Sequence, residues 1–302
     1  MESCEQNSYG RMRIIGGINP EGFTFVLEPG RSLQSPEAVM TYSDTGFGGV
    51  SSRMHVFVRR HIVRGLWADR ERPVLLNSWE AAYFDINEKK LLKLAKEAKK
   101  CGIELFVMDD GWFGHRDDDT SSLGDWQENL SKLPGGVKQL ADKINALGLE
   151  FGIWVEPEMV NEDSDLYRAH PEWAVRVPGQ SHAEGRHQML LDLTNKDVRD
   201  HIVNSMTKVF SSANISYVKW DMNRIMSDRY SQTLPSDRQG EFGHRYVLGL
   251  YDIMGRLTKR FPEILFEGCA AGGNRFDLGI LCYMPQIWAS DDTDARERLE
   301  IQ

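Results

Sequence analysis

Val137-Lys-Gln-Leu-Ala-Asp-Lys-Ile-Asn-Ala-Leu-Gly148, running directly into Leu149-Glu-Phe-Gly-Ile-Trp-Val-Glu156, is the stretch whose reading decides the fold of this chain. Val137, Leu140, Ala141, Ile144 and Leu147 recur at i, i+3, i+4, i+7 and i+10, the stripe of a helix laid on a core, and Gly148 supplies its stop. The run from Phe151 to Val155 that follows carries no polar interruption, which suits a strand buried on both faces of a parallel sheet. Helix, glycine, apolar strand and terminal carboxylate form one unit.

The same unit recurs outward in both directions. Val74-Leu-Leu-Asn-Ser-Trp79 precedes a helix expected from about Asn87 to Cys101, with Leu91, Leu94, Ala95 and Ala98 on one face and Gly102 as the stop. Glu104-Leu-Phe-Val-Met-Asp109 is the next run. Downstream, Met189-Leu-Leu-Asp-Leu193 leads to a helix carrying Val198, Ile202, Met206 and Val209 on one face, then to Tyr217-Val-Lys-Trp-Asp221. A helix around Tyr246 to Lys259 precedes Ile264-Leu-Phe-Glu-Gly268, and Gln286-Ile-Trp-Ala-Ser290 is the last run before helical text from Arg296. The runs at 74, 104, 151, 189, 217, 264 and 286 make seven strand candidates. The expected fold class is therefore α/β, a (β/α)₈ barrel of the TIM type in residues 73–302, incomplete at its C-terminus because a barrel closes only when an eighth strand meets the first. An open doubly wound sheet is the competing architecture.

Residues 1–72 read differently. Phe23-Thr-Phe-Val-Leu and Met54-His-Val-Phe-Val are strand-like, broken by Pro20, Pro29 and the cluster Gly46, Gly48, Gly49. Of the 302 residues, 36 are Lys or Arg and 45 Asp or Glu, a net charge of −9 that argues against a nucleic-acid partner. Nor does any apolar run approach the roughly 20 residues of a membrane span. The N-terminus lacks a basic patch followed by an apolar core, so a cytoplasmic protein is expected. Cys4, Cys101, Cys269 and Cys282 have no paired spacing and read as free thiols.

In a barrel the functional residues collect at the C-terminal ends of the strands. Those ends carry Trp79, Asp109-Asp110-Gly111-Trp112, Trp154 with Glu156, Asp192, Lys219-Trp220-Asp221, Glu267-Gly-Cys269 and Asp291-Asp292. Carboxylates and indoles on one rim suit a carbohydrate, whose apolar face an aromatic ring covers while charged groups bind its hydroxyls. Lys219 and Asp221 lie two apart on one side of a strand, which makes Asp221 a candidate nucleophile; Trp220 faces the other way and reads as core. A glycosidase also needs a protonated carboxyl group, for which Asp291, Asp292 and Asp294 are available.

Lys219-Trp-Asp-Met-Asn-Arg224, Glu267-Gly-Cys-Ala-Ala-Gly-Gly273, Trp288-Ala-Ser-Asp-Asp-Thr-Asp294 and Val107-Met-Asp-Asp-Gly-Trp112 together resemble the blocks of the α-galactosidases of glycoside hydrolase family 36, the melibiase group, from roughly residue 20 onward. The resemblance implies a retaining mechanism with Asp221 as nucleophile and Asp291 as acid/base. It implies that Asp109 and Asp110 bind the 4- and 6-hydroxyls of galactose, that Lys219, Arg186 and Asn223 reach other hydroxyls, that Trp79 and Trp154 wall the pocket, and that Cys269 and Gly272 lie near the 2-position. It further implies that residues 1–72 are the end of an N-terminal β-sandwich domain and its linker, that the chain is cut at both ends, and that the full-length protein is a homo-oligomer acting on melibiose- and raffinose-type oligosaccharides. Neither cofactor nor metal is called for. A galactosyltransferase of the raffinose-synthase kind and an inactive galactoside-binding fragment are the alternatives.

Three further signals are set aside. His115-Arg-Asp117 matches a kinase tripeptide without the accompanying glycine-rich loop, Asp117-Asp-Asp119 lacks the order of a calcium loop, and His182, His187 and His201 lack zinc spacing.

Overall fold

A computed structural model describes every residue except Met1, His182, Glu184 and Gln302; His182, weighed above as a zinc ligand, therefore lies outside the described residues. The N-terminal region opens with an antiparallel hairpin of β1 (Glu2–Gln6) and β2 (Met12–Gly16). A segment without helix or strand follows, and then α1 (Gly46–Phe57), which passes into a π-helical turn over Val58–Ile62. The strand expected at Met54–Val58 is thus corrected to helix. Four apolar residues in five, two of them β-branched, do not distinguish the two when no sheet is available to pair with. Around Phe23 the chain has no regular secondary structure and pairs with no strand; Phe23 and Phe25 pack their rings against His244, and Thr24 N–H donates to the Gly240 carbonyl.

The α/β region begins with β3 (Leu75–Asn77) and the single turn α2 (Trp79–Ala82). Then come α3 (Glu88–Lys100), β4 (Leu105–Met108), α4 (Gly136–Ala146) and β5 (Glu150–Val155). Asn87 caps α3 by accepting from Lys90 N–H at 3.0 Å, which satisfies one of the donors a helix start leaves free. The chain continues through β6 (Met159–Asn161), α5 (Asp165–Ala169), β7 (Gln188–Leu190), α6 (Lys196–Ser211) and β8 (Tyr217–Trp220). It ends with α7 (Phe242–Arg260), β9 (Leu265–Gly268), β10 (Gln286–Ile287) and α8 (Glu297–Ile301).

Among the described residues, β10, β9, β8, β5, β4 and β3 form one six-stranded sheet in that order, every neighbouring pair parallel. The order follows the chain without reversal, which is barrel topology; a doubly wound sheet reverses its order at a switch point. The fold is an incomplete TIM-type barrel, with β3 and β10 at its open edges.

The count of seven strands is corrected to six. The run at Met189 forms β7, which pairs antiparallel with β6, Asn161 opposite Gln188. No slot for it exists in the barrel, because β5 pairs directly with β8, Gly152 opposite Tyr217. Gly152 permits that approach: a Cβ there would lie 2.7 Å from Tyr217 Cδ1. The β6–β7 hairpin belongs instead to the long excursion between β5 and α6, on the side where the strands end. No helix of the described residues is long and apolar enough to cross a membrane.

Candidate active site

Parallel strands lift every side chain that follows them to one rim. At its base lies Asp109, buried, just past β4. Its Oδ2 accepts from Asn77 Nδ2 at 2.6 Å and from Lys219 Nζ at 3.2 Å, and its Oδ1 accepts from Asp110 N–H at 2.9 Å. Burial alone would lower the Lys219 ammonium; the carboxylates of Asp109 and Asp221 outweigh it and hold the group above its ordinary value.

Asp221 follows β8 and is 5% exposed. Its backbone N–H continues the β5–β8 ladder by donating to Val155 O at 2.8 Å. Trp154 Nε1 donates to Asp221 Oδ2 at 3.0 Å, and Met222 N–H to Oδ1 at 2.9 Å. Trp154 is itself fixed by Trp112, whose Nε1 donates to the Trp154 carbonyl at 2.9 Å, and by Phe113 stacked at 6.3 Å. Cys269 is buried beside this group, and burial followed by the Asp221 charge pushes its thiol up, so it is a neutral wall and not a thiolate.

Asp291 is exposed, on the segment that follows β10, and reaches the centre through one indole. Trp288 Nε1 donates to Asp291 Oδ1 at 2.9 Å while Lys219 Nζ lies 5.1 Å from the Trp288 ring centroid. The turn after β9 completes the rim. Asn223 Oδ1 accepts from Ala271 N–H at 3.2 Å, and Gly272, at φ +88°, would bring a Cβ within 3.2 Å of Ser290 Cα and 3.7 Å of Asp291 N. Only glycine suits that conformation and that space.

The remaining expected residues take outer places. Trp79 is half-buried, edge-on to Tyr83 and Phe84 at 5.2 and 5.1 Å. Asp110 is held by Arg116, whose Nε and Nη2 reach its carboxylate at 3.0 and 2.8 Å. Burial pushes Asp110 up, against the pull of that guanidinium. Arg186 is exposed at φ +56° on the turn before β7, its charge acting on Glu156. Asp192 is not on the rim, because its run is not a barrel strand; its carboxylate accepts from Thr194 and Ser231 hydroxyls instead. Asp292 and Asp294 are exposed and accept from backbone N–H groups of their own loop. Trp220 is core, its Nε1 donating to Glu158 at 2.8 Å. All four cysteines are free thiols.

Sequence reasoning missed Arg116, Asn77 and Trp288, and gave Glu156 and Glu158 no role. Glu158 binds Trp220, Tyr246 and Arg275 in the core. Glu156 is buried against the nucleophile candidate, and burial, then the Asp221 charge, pushes it up to about 8. The available signal was the acid at a strand end, which requires a partner once buried.

The Melibiase family model matches residues 32–302. Alpha-galactosidase AgaA of Geobacillus stearothermophilus is 54% identical over 302 residues, 100% of this chain and 41% of that protein. Alpha-galactosidase Mel36A of Lactobacillus acidophilus is 50% identical over 298 residues, 99% of this chain and 41% of its own. The crystal structure of Geobacillus AgaA superposes with a TM-score of 0.97 over 100% of this chain and 42% of that one, and a variant of it solved with raffinose superposes at 0.96 over 99% and 42%. The chain thus spans about 41% of the length of these curated relatives.

Proposed function

The chain belongs to the melibiase family, and on that premise we propose that the protein of which it forms the catalytic region is a retaining α-galactosidase. Alpha-galactosidase relatives, and related structures solved with raffinose and stachyose, support galactoside hydrolysis. The observation that carries the reading is Asp221: a buried carboxylate at a barrel strand end, aimed by an indole N–H and a backbone N–H, whose charge acts on the buried ammonium that Asp109 holds.

Asp221 attacks the anomeric carbon and Asp291 protonates the departing oxygen, giving a glycosyl ester and a free aglycone. Water, deprotonated by Asp291, then releases galactose and restores the carboxylate. Asp109 and Asp110 bind the 4- and 6-hydroxyls, Lys219, Arg186 and Asn223 reach the others, Trp79 and Trp154 wall the pocket, and Cys269 and Gly272 border the 2-position. Residues 1–72 are the end and linker of a preceding β domain and 73–302 the barrel. A homo-oligomeric full-length protein in the cytosol completes the proposal.

Asp221→Ala in the full-length protein is expected to lose turnover of an aryl α-galactoside by on the order of 10⁴-fold or more. Azide, entering the space of the lost carboxylate, should restore release of the aglycone and yield the β-galactosyl azide. Undiminished hydrolysis by the variant would refute the assignment.

A further inference from the structure

Glu156 lies one residue beyond β5 and is 1% exposed. Its Oε1 accepts from two donors on different segments: the backbone N–H of Asn223 at 2.5 Å and the Nε2 of Gln188 at 2.9 Å. Asn223 is two residues past Asp221, on the segment whose Met222 N–H already holds the Asp221 carboxylate. Through its side chain Asn223 continues to Ala271 N–H, next to the Gly272 that abuts Ser290 and Asp291. One oxygen therefore ties together the exit of β5, the β6–β7 hairpin and the nucleophile segment, and reaches the turn that shapes the acid/base segment.

Resting on the α-galactosidase reading, we infer that Glu156 is a positioning residue of the reaction, setting the nucleophile segment by accepting the Asn223 N–H, and that it does so as an uncharged carboxyl group. The groups that face it are the Asp221 carboxylate at the end of β8, Arg186 on the turn before β7 and Arg116 on the loop after β4. A second anion in a buried site beside Asp221 would repel it, whereas a carboxylic acid offers the same acceptor oxygen without the charge. Burial and Asp221, which push Glu156 up to about 8, favour that form at neutral pH. The side chain has no route to the sugar in this account; it acts through Asn223 and Asp221.

The test uses Glu156→Gln, Glu156→Asp and Glu156→Ala in the full-length protein, with Asp221→Ala alongside and an aryl α-galactoside as substrate. Gln keeps an oxygen in place and should stay within about threefold of wild type in kcat and KM. Asp withdraws the oxygen by one methylene, and Ala removes it; both should lose kcat by about 10- to 100-fold with KM changed far less, the response to a reacting group set off by a fraction of an ångström. Circular dichroism normalises each rate to folded protein, and if Ala does not fold, the contrast of Asp with Gln decides. The infrared difference between wild type and Glu156→Gln at neutral pH should contain the carbonyl band of a protonated carboxylic acid. Wild-type kcat in Asp or Ala, a loss in Gln as large as in Asp, or absence of that band overturns the inference. Asp221→Ala separates the two levels: if it keeps activity the α-galactosidase reading falls, and if it loses activity and regains it with azide while the Glu156 series does not sort as stated, only this inference falls.

Discussion

Arg116 is 1% exposed, and each of its three nitrogens is engaged: Nε and Nη2 by Asp110, Nη1 by Ser121 O at 2.9 Å and Asn161 Oδ1 at 3.1 Å. Replacing it by Met keeps the bulk and removes the charge, leaving the Asp110 carboxylate buried without a cation. Breaking a buried pair from one side costs about 3–5 kcal/mol, whereas an exposed pair contributes at most about 1 kcal/mol. Urea unfolding should therefore place Arg116→Met far below wild type and Lys138→Met, whose partner Asp142 is exposed, within about 1 kcal/mol of it. Equal effects of the two substitutions would mean that Arg116 is not the counterion of the rim. This residue shows where sequence reading stops. Asp109, Asp221 and Lys219 were legible because strand alternation and strand ends fix them, but Arg116 sits on a loop whose path no periodicity encodes, inside a tripeptide dismissed for lacking kinase context. Only the requirement of a buried carboxylate for a cation pointed to it, and that requirement names no position.

At the scale of elements, α7 offers a paired test of how helix and loop meet. Gly249 faces the chain just ahead of α6: a Cβ there would lie 2.2 Å from Leu193 O and 2.9 Å from Leu193 C. Gly255, six residues on in the same helix, would place its Cβ 3.7 Å from Tyr283, an ordinary contact. Helix propensity alone favours alanine over glycine by about 1 kcal/mol at either site. Gly255→Ala should accordingly raise stability by roughly 0.5–1 kcal/mol, while Gly249→Ala, which must displace backbone, should lower it by about 1–3 kcal/mol or more. Opposite shifts of the thermal midpoint verify the packing; a stabilised Gly249→Ala would contradict it. The same junction explains the miscounted strand. Met189-Leu-Leu-Asp-Leu193, with one charged residue, reads like the barrel strands Tyr217–Trp220 and Leu265–Gly268, and a short buried run looks alike in a parallel barrel or an antiparallel hairpin. The helices α3, α4, α6 and α7 were legible because ten or more residues repeat a stripe. What assigned β7 to β6 was the direct β5–β8 pairing, a contact across more than sixty residues of chain.

For the molecule as a whole, two sets of acids have opposite pH responses. Glu88, Glu97, Asp118 and Asp200 lie near the surface and are lowered by partners, chiefly side-chain hydrogen bonds from Lys143, Lys100, Thr120 and Lys196 respectively. The stability they confer is present above their ordinary values and is lost as pH falls through the lowered ones. Glu156, Asp110 and Glu267 are buried under or inside the rim and are raised, burial being the first cause in each. Each of these keeps its proton to a higher pH in the folded state than in the unfolded chain, so its contribution to stability is greatest at low pH and is lost as pH rises from the ordinary value through the raised one. For Glu156 that window runs from about 4.5 to about 8. The site therefore works against the fold as pH rises, the expected consequence of gathering carboxylates at a barrel mouth. Glu156→Gln retains the acceptor oxygen and cannot ionise. Its unfolding free energy from urea titration should lie close to that of wild type near pH 5 and exceed it by pH 8.5, by an amount on the order of a few kcal/mol. Parallel curves for the two proteins across that range would show that Glu156 does not carry its proton into the folded state.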